Sequence, residues 1–321
     1  MATYDVVTFG ETMIRLSTPL GERLETAVSL DVGIGGAESN VAVALSRLGR
    51  RTAWASVLPR NAFGERIAGD LRRHGVDVSH VSWAERGRVG VYYLDTGAAP
   101  RPTHVLYDRA GSAVARCVPD SIDPDLAARC RILHLTGITP ALSPSCAEVT
   151  RRLAWRATEA GVPISVDVNY RSLLWSPDVA ADMLGPLCTA ATVLICGRAD
   201  ARTLWGLEGS DEDAVRALSA RFGAATTVLT TGDEGAVALT QDGTLYREPA
   251  VATVVIDRVG AGDAFAAGFL HGYLDGDVAL ALRLGVRLAA LKMTIRGDLA
   301  VVGAHELAAL VGPALGGTIV R

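Results

Sequence analysis

Two glycines and a carboxylate form the strongest chemical signal in the sequence. Gly260, Ala261 and Gly262 stand directly before Asp263 and the small apolar run 264–270. This order predicts a tight turn that opens a helix, where backbone amides and the helix dipole bind anions. Asp263 would then lie in the first turn, placed to take a proton from a hydroxyl that attacks a terminal phosphate. A plain turn with a helix-capping aspartate explains the same residues, so both interpretations stay open.

A second glycine-rich segment runs into the first amphipathic helix pattern. Bare backbone at Gly35 and Gly36 allows a ligand to approach closely, and Glu38 and Asn40 can hydrogen-bond to its hydroxyls. The spacing does not match the Gly-x-Gly-x-x-Gly fingerprint of dinucleotide-binding proteins. A flexible turn with a polar helix cap is the alternative.

Polar residues also follow two predicted buried strands. Asp167, Asn169 and Arg171 come at the end of strand 164–168, at the sheet edge where open α/β sheets bind ligands. Arg171 can clamp a carboxylate or phosphate, or form a surface salt bridge. The loop after strand 227–231 suits either contact with a nucleotide or an ordinary hairpin. The nucleotide interpretation takes in Thr231, Gly232 and Gly235 from this loop, together with Gly260 and Gly262.

Composition excludes several other classes of protein. The chain has 321 residues, of which 49% are hydrophobic and 21% charged, enough for one large core with a small appendage. A net charge of -4 disfavours nucleic-acid binding. The five cysteines show no CxxC pair and no neighbouring histidine cluster, so neither a zinc site nor a disulfide scaffold is indicated. No apolar run suits a membrane span and no signal peptide is visible, which predicts a cytoplasmic protein without membrane partners.

Lysine usage narrows the nucleotide chemistry further. Lys292 is the only lysine in the sequence. A Walker A loop needs Gly-Lys-Ser/Thr and a protein kinase needs a strand lysine, and the surroundings of Lys292 offer neither. Any phosphate must therefore be held by another type of cradle.

The elements that must position these residues alternate between strand and helix patterns. Such alternation predicts stacked βαβ units around a mainly parallel sheet. The helix patterns include one over 39–48, one opened by Ser143 and closed at Gly161, and one capped by Ser210. The predicted strands are 4–9, 52–57, 132–136, 164–168, 192–196 and 227–231.

Two regions, about 12–34 and 87–110, break this rhythm. They lack helical period and carry alternating or β-branched runs. We expect them to form a small separate sheet inserted in a single domain of residues 1–321. Their aromatic and basic residues suit a lid over a polar ligand, with ordinary edge strands as the alternative.

Taken in order, the motifs resemble the ribokinase-like (PfkB) carbohydrate kinases, and within them the 2-keto-3-deoxygluconate kinases. The resemblance covers nearly the whole chain and is carried by stretches 35–42, 134–144, 167–171 and 257–268. It implies a three-layer α/β/α domain with a small β-sheet lid, and ATP and Mg²⁺ as cofactors. The implied reaction phosphorylates the terminal hydroxyl of a sugar acid, with 2-keto-3-deoxygluconate giving 2-keto-3-deoxy-6-phosphogluconate.

The resemblance also assigns roles by position. Asp263 would be the base, and a homo-oligomer would form through the lid. Two arginines beside one ligand fit a carboxylate-bearing substrate better than a neutral sugar. The residues implied to contact the sugar acid are Gly36, Glu38, Tyr92, Tyr107, Arg109 and Arg171.

One stretch departs from the family pattern. Where the family carries Asn-x-x-Glu, the sequence reads Gly197-Arg198-Ala199-Asp200, so Asp200 is the candidate metal residue and nothing replaces the asparagine. We expect magnesium to bind chiefly through ATP phosphates and water. Two alternatives stay open: a kinase for a neutral sugar such as fructose or ribose, and a non-catalytic sugar-acid sensor.

Overall fold

The structure is a computed structural model that describes residues 2–97 and 100–311. Residues 98–99, which belong to the second segment predicted for the small sheet, lie outside the described residues. The strands are β1 Tyr4–Phe9, β2 Met13–Ser17, β3 Asp31–Gly35, β4 Thr52–Pro59, β5 Val81–Ala84, β6 Val91–Asp95, β7 His104–Asp108, β8 Cys130–Thr136, β9 Ile164–Asp167, β10 Val193–Gly197, β11 Thr226–Thr230, β12 Gly235–Thr240 and β13 Leu245–Pro249. The α-helices are α1 Ala37–Arg47, α2 Ala62–Arg73, α3 Ile138–Ala141, α4 Pro144–Glu159, α5 Pro177–Thr189, α6 Arg198–Trp205, α7 Asp211–Phe222, α8 Ala261–Tyr273, α9 Val278–Met293 and α10 Ala304–Val311.

The larger sheet has the strand order β13-β12-β11-β10-β9-β8-β1-β4-β5. Neighbours from β11 to β5 pair in parallel, and β12 and β13 are added antiparallel at one edge. The register places Val7 opposite both Ala53 and Leu133. The predicted α/β class with a mainly parallel sheet is therefore confirmed.

Alternate residues of β1 face two different helix layers. Val7 and Phe9 pack in a core with residues of α4, α5 and α7, whereas Val6 packs in a core with residues of α1, α8 and α9. Burial on both faces explains why this strand reads as a nearly continuous apolar run. Helices α8 and α9 approach closely, because a Cβ added at Gly268 would lie 2.5 Å from the carbonyl oxygen of Leu284.

The helix starts follow the predicted capping chemistry. The Ser143 hydroxyl accepts a hydrogen bond of 3.1 Å from the backbone N–H of Cys146 and caps α4. Ser210 caps α7 in a reciprocal capping box with Asp213. Helix α1 begins at Ala37 rather than at the predicted position 39, because the extended Gly36 already serves as its N-cap. Within the described residues, no helix has the length and apolar character needed to cross a bilayer.

The small sheet has the strand order β3-β2-β6-β7. Strands β2 and β6 pair in parallel, whereas β2–β3 and β6–β7 pair antiparallel. These strands fall in the two segments predicted for a separate sheet, with β3 reaching Gly35 and turns filling most of the stretch between β2 and β3. Since β3 leads through Gly36 into α1, the small sheet ends at the same point where the first helix of the large layer begins.

Candidate active site

A cavity of about 330 Å³, hereafter the polar cavity, lies between the small sheet and the carboxyl ends of β9, β10 and β11. Both sheets contribute to its wall, as do the starts of α1 and α8. It brings together every residue that the sequence predicted to contact the sugar acid. These residues are Gly35, Gly36, Glu38, Asn40, Tyr92, Tyr107, Arg109, Asp167, Asn169 and Arg171. Gly260, Gly262, Asp263 and Asp200 line the same cavity.

A second cavity of about 560 Å³ adjoins the first and has a more apolar wall. Its lining includes Val251, Phe265 and Val286. Of the residues predicted to bind the nucleotide, Gly232, Gly235 and Gly262 line it, and so does Ala261, whereas Thr231 lines neither cavity. The two cavities share Thr230, Arg258 and Gly262 in their linings.

Asp263 lies in the first turn of α8, as the sequence predicted, and faces the polar cavity. Its Oδ2 accepts a hydrogen bond of 2.7 Å from the side-chain amide of Asn40. Burial raises the pKa of Asp263 to about 6, although the Asn40 hydrogen bond and the charge of Arg171 pull in the opposite direction. A carboxylate with such a pKa is ionised near neutral pH and can still accept a proton, which suits a general base.

The turn before α8 differs in one detail from the predicted anion hole. The backbone N–H of Ala261 donates to the carbonyl oxygen of Arg258 at 3.2 Å, so this amide is already engaged. The amides of Gly260 and Gly262 have no acceptor among the described residues. They are the groups free to bind an anion at the helix start.

Gly260 is fixed by both conformation and contact. Its φ is +85°, in the left-handed region that favours glycine. A Cβ at this position would also lie 2.1 Å from the carbonyl oxygen of Asp298. The loop after α9 therefore supports the turn directly.

Glu38 is buried below the polar cavity. Its Oε1 accepts hydrogen bonds from the hydroxyls of Thr136 at 2.7 Å and Thr139 at 2.6 Å. Burial raises the pKa of Glu38 to about 7 in spite of these two bonds. The two threonines fix one carboxylate oxygen and leave the other facing away from them.

Three buried polar atoms of the cavity wall have no hydrogen-bond partner among the described residues. They are Oε1 of Glu11, Oε2 of Glu38 and the hydroxyl of Tyr92. Buried polar groups of folded proteins are normally hydrogen-bonded, because an unmet donor or acceptor costs free energy. Their convergence on one cavity indicates a ligand that carries several hydroxyl or carbonyl groups.

The two arginines of the wall differ in their partners. Nε and one terminal nitrogen of Arg109 donate to Oε2 of Glu11 at 2.8 and 2.5 Å, and its guanidinium stacks 5.7 Å from the centre of the Tyr107 ring. Arg171 is exposed, and the only acceptor that its side chain meets among the described residues is the Tyr170 carbonyl at 3.0 Å. Arg171 is therefore the arginine whose charge is available to an anionic ligand.

Asp167 and Asp200 stand at the ends of β9 and β10, close to Asp263. Burial and the charges of Asp263 and Asp200 raise the pKa of Asp167 to about 8. Burial also raises the pKa of Asp200, whose Oδ2 accepts a hydrogen bond of 3.1 Å from the backbone of Tyr170. Among the described residues, no group of three or more histidine, cysteine, aspartate or glutamate side chains is arranged to hold a metal ion.

A buried ionic cluster behind the turn was not predicted from the sequence. Arg15 of the small sheet donates to Asp257 at 2.5 Å and to Asp298 at 2.6 Å. Lys292 is fully buried and donates to the carbonyl oxygen of Asp257 at 2.9 Å. The cluster ties the small sheet to the loop that opens α8.

Glu11 was also missed, although a signal for it existed. It follows the carboxyl end of β1 in the same way that Asp167 ends β9. The sheet-edge rule that selected Asp167 would have selected Glu11. No comparable signal marks Asp298, because its position depends on contacts between segments far apart in the chain.

Comparison with known proteins finds relatives along almost the whole chain. The family model described as pfkB family carbohydrate kinase matches residues 3–302. A 2-dehydro-3-deoxygalactonokinase of Haloferax volcanii is 46% identical over 306 residues, which cover 95% of this chain and 96% of the relative. The crystal structure of a 2-dehydro-3-deoxygluconokinase from Thermotoga maritima superimposes with a TM-score of 0.91 at 30% identity and covers 97% of this chain and 98% of its own. A putative ribokinase II of E. coli, solved with ATP and Mg²⁺, has a TM-score of 0.87 at 18% identity, covers 96% and 99% of the two chains, and shows a common fold.

Proposed function

The chain belongs to the pfkB family of carbohydrate kinases, and on that premise we propose that it phosphorylates the terminal hydroxyl of a 2-keto-3-deoxy sugar acid with ATP. The proposed substrates are 2-keto-3-deoxygluconate and its galactonate-derived epimer, which would become the corresponding 6-phosphates. The names of the similar kinases support this choice of substrate class. The wall of the polar cavity supports it independently, through its unpaired hydrogen-bonding atoms and its available arginine.

The position of Asp263 carries the proposal. It faces the polar cavity directly after Gly262, which lines both cavities. A hydroxyl held in the polar cavity and a phosphate held in the second cavity would therefore meet at Asp263. Such positioning, with electrostatic stabilisation, supplies most of the rate enhancement in phosphoryl transfer.

The proposed step transfers one proton and one phosphoryl group. The substrate oxygen forms a bond to the γ-phosphorus while the bond from that phosphorus to the β,γ-bridging oxygen breaks. The hydroxyl proton passes to the carboxylate of Asp263, and ADP leaves with the electron pair of the broken bond. The free amides of Gly260 and Gly262 bind the transferring group at the positive end of α8.

We assign recognition of the acid group to Arg171. Its planar guanidinium suits a carboxylate, and no acidic side chain among the described residues pairs with it. Arg109 is held by Glu11 and is proposed to contact substrate together with that carboxylate. Glu38, Asn40, Asp167, Asn169 and the two tyrosines of the wall are the proposed partners of the remaining oxygens.

The second cavity is the proposed site of the nucleotide, with Thr231 placed beside the loop that lines it. The neighbouring kinase solved with ATP and Mg²⁺ supports this pair of cofactors for the fold. Magnesium uses one or two carboxylates together with phosphates and water, so the single Asp200 of the polar cavity fits an ion that arrives with the nucleotide. Bound there, the ion would neutralise phosphate charge.

We also propose that the small sheet acts as a lid and that the protein forms a homo-oligomer through it. Strand β7 is an edge of this sheet, and Leu106 on it is 56% exposed. Exposed apolar residues on an edge strand favour association with a second chain. Light scattering after size-exclusion chromatography measures the oligomeric state, and Leu106→Glu should shift it toward monomer.

A substrate panel tests the proposed function. ADP production is measured at fixed ATP with the two 2-keto-3-deoxy sugar acids, fructose and ribose. We expect kcat/KM for a sugar acid to exceed that for either neutral sugar by about 10²-fold, the worth of one or two charged hydrogen bonds. Preferred turnover of a neutral sugar would overturn the substrate class, and tight binding of a sugar acid without ADP release would overturn the reaction.

A further inference from the structure

Arg258 lies at the junction of the two cavities and brings a positive charge there. It lines both the polar cavity and the second cavity. Among the described residues that line the second cavity, it is the only lysine or arginine. Its side chain is exposed and makes no hydrogen bond or ion pair with any described residue. An unpaired cation therefore stands where the two cavities meet.

Lysine cannot supply this charge in the present chain. The sequence contains one lysine, Lys292, and its side chain is fully buried with its ammonium against the carbonyl oxygen of Asp257. Phosphoryl-transfer sites neutralise phosphate charge with lysine, arginine and metal ions. Within the second cavity the protein itself offers Arg258 alone for that purpose.

The backbone around Arg258 is held on both sides. Oδ2 of Asp257 accepts from Arg15 at 2.5 Å and from the Gly297 amide at 3.0 Å, and its Oδ1 accepts from the Val259 amide at 3.0 Å. The carbonyl of Arg258 accepts from the Ala261 amide at 3.2 Å. A free guanidinium on a fixed loop is preorganised to receive an anion, because little backbone order must be gained on binding.

We propose that Arg258 is a catalytic residue that binds the β- and γ-phosphates of ATP and stabilises charge during transfer. This inference rests on the proposed kinase function and adds a residue to it. As the γ-phosphorus bonds to the acceptor oxygen, the bridging oxygen leaves on ADP and negative charge grows on the β-phosphate. The planar guanidinium can donate two parallel N–H bonds to these oxygens.

The test compares Arg258→Gln and Arg258→Lys with Arg216→Gln. Arg216 is an exposed arginine of α7 that pairs with Glu212 at 2.9 Å, so its change removes a charge away from both cavities. Two readouts are measured: steady-state kinetics with ATP and a sugar acid, and calorimetric binding of ATP, ADP and adenosine. Melting curves check that each variant is folded.

We expect R258Q to lower kcat/KM for ATP by about 10²-fold or more, since a phosphate-binding arginine in comparable sites is worth about 10³- to 10⁵-fold. R258Q should also weaken binding of ATP and ADP while adenosine binds as to the unchanged protein. R258K should recover part of the loss, and R216Q should behave like the wild type. The KM for the sugar acid should change little in all three variants.

Two results would overturn the inference. One is wild-type kinetics and nucleotide binding in R258Q. The other is equal weakening of ATP and adenosine, which would reveal a structural role of the loop rather than a phosphate contact. The binding measurement needs no turnover, so it still judges Arg258 if the wild-type protein phosphorylates none of the proposed substrates, a result that would count against the proposed function instead.

Discussion

The side-chain amide of Asn40 donates a hydrogen bond of 2.7 Å to Oδ2 of Asp263, across 223 residues of sequence. This contact joins the start of α1 to the start of α8. The glycine-rich segment before Asn40 and the glycine-rich turn before Asp263 are thus two walls of one site. An amide that donates to a carboxylate also orients it and favours its ionised form.

Removing the carboxylate of Asp263 should abolish most of the activity. A positioned general base is worth about 10²- to 10⁴-fold in rate, and we expect Asp263→Asn to lower kcat by that order while the sugar acid still binds. Asp178→Asn is the matched control, because Asp178 is an exposed acid in the first turn of α5. Steady-state kinetics and ligand binding measure both variants, and nearly full activity of D263N would refute the assigned role.

The pH dependence of the rate should report the same group. Burial raises the pKa of Asp263 to about 6, and a base works only when ionised, so kcat/KM should fall as the pH drops below this value. The Asn40 hydrogen bond favours the ionised form and thus lowers the pKa. Asn40→Ala should therefore move the acidic limb of the profile to higher pH. A limb that stays in place in N40A would separate Asn40 from the titrating group.

Local patterns predicted much of the fold and of the candidate site. Capping at Ser143 and Ser210 and the apolar runs of the parallel strands are written in short windows of sequence, and the resemblance to the pfkB family is confirmed. The contacts that depend on tertiary structure were not visible. Arg15 and Asp298 are joined across 283 residues, and no local pattern announces such a pair. The engagement of Arg109 by Glu11 escaped for the same reason.

Arg171 should decide the affinity for the acid group. It has no acidic partner among the described residues, and hydrogen bonds to charged groups contribute about 1.5 to 3 kcal/mol. We expect Arg171→Ala to raise the KM for a sugar acid by about 10- to 100-fold and to leave the KM for ATP nearly unchanged. The exposed Arg129→Ala serves as control, since Arg129 pairs with Asp123 away from the site. An unchanged KM for the acid in R171A would favour a neutral substrate.

Gly260 and Gly49 offer a matched test of the turn before α8. Their φ angles are +85° and +89°, but an added Cβ would meet the Asp298 carbonyl at 2.1 Å in one case and nothing within 4 Å in the other. Gly49→Ala should cost about 1 kcal/mol of unfolding free energy from backbone strain. Gly260→Ala should cost clearly more and should also lower kcat, because the turn must shift. Urea unfolding and kinetics measure both, and equal losses of stability would show that the Asp298 contact is easily relieved.

Asp167 should make the folded protein less stable as the pH rises. Its pKa is about 8 when folded, against a model value of 3.8, so between these values the folded chain keeps a proton that the unfolded chain has released. Stability therefore falls with rising pH across that window. Asp167→Asn removes the titration, and we expect the unfolding free energy of D167N relative to wild type to grow by at least about 1 kcal/mol from pH 5 to pH 8. Urea unfolding at several pH values measures this, with D178N as the control expected to show no such trend. A difference between D167N and wild type that stays constant with pH would mean that the folded protein already holds Asp167 ionised at pH 5, and the three neighbouring carboxylates would then need a bound cation to coexist.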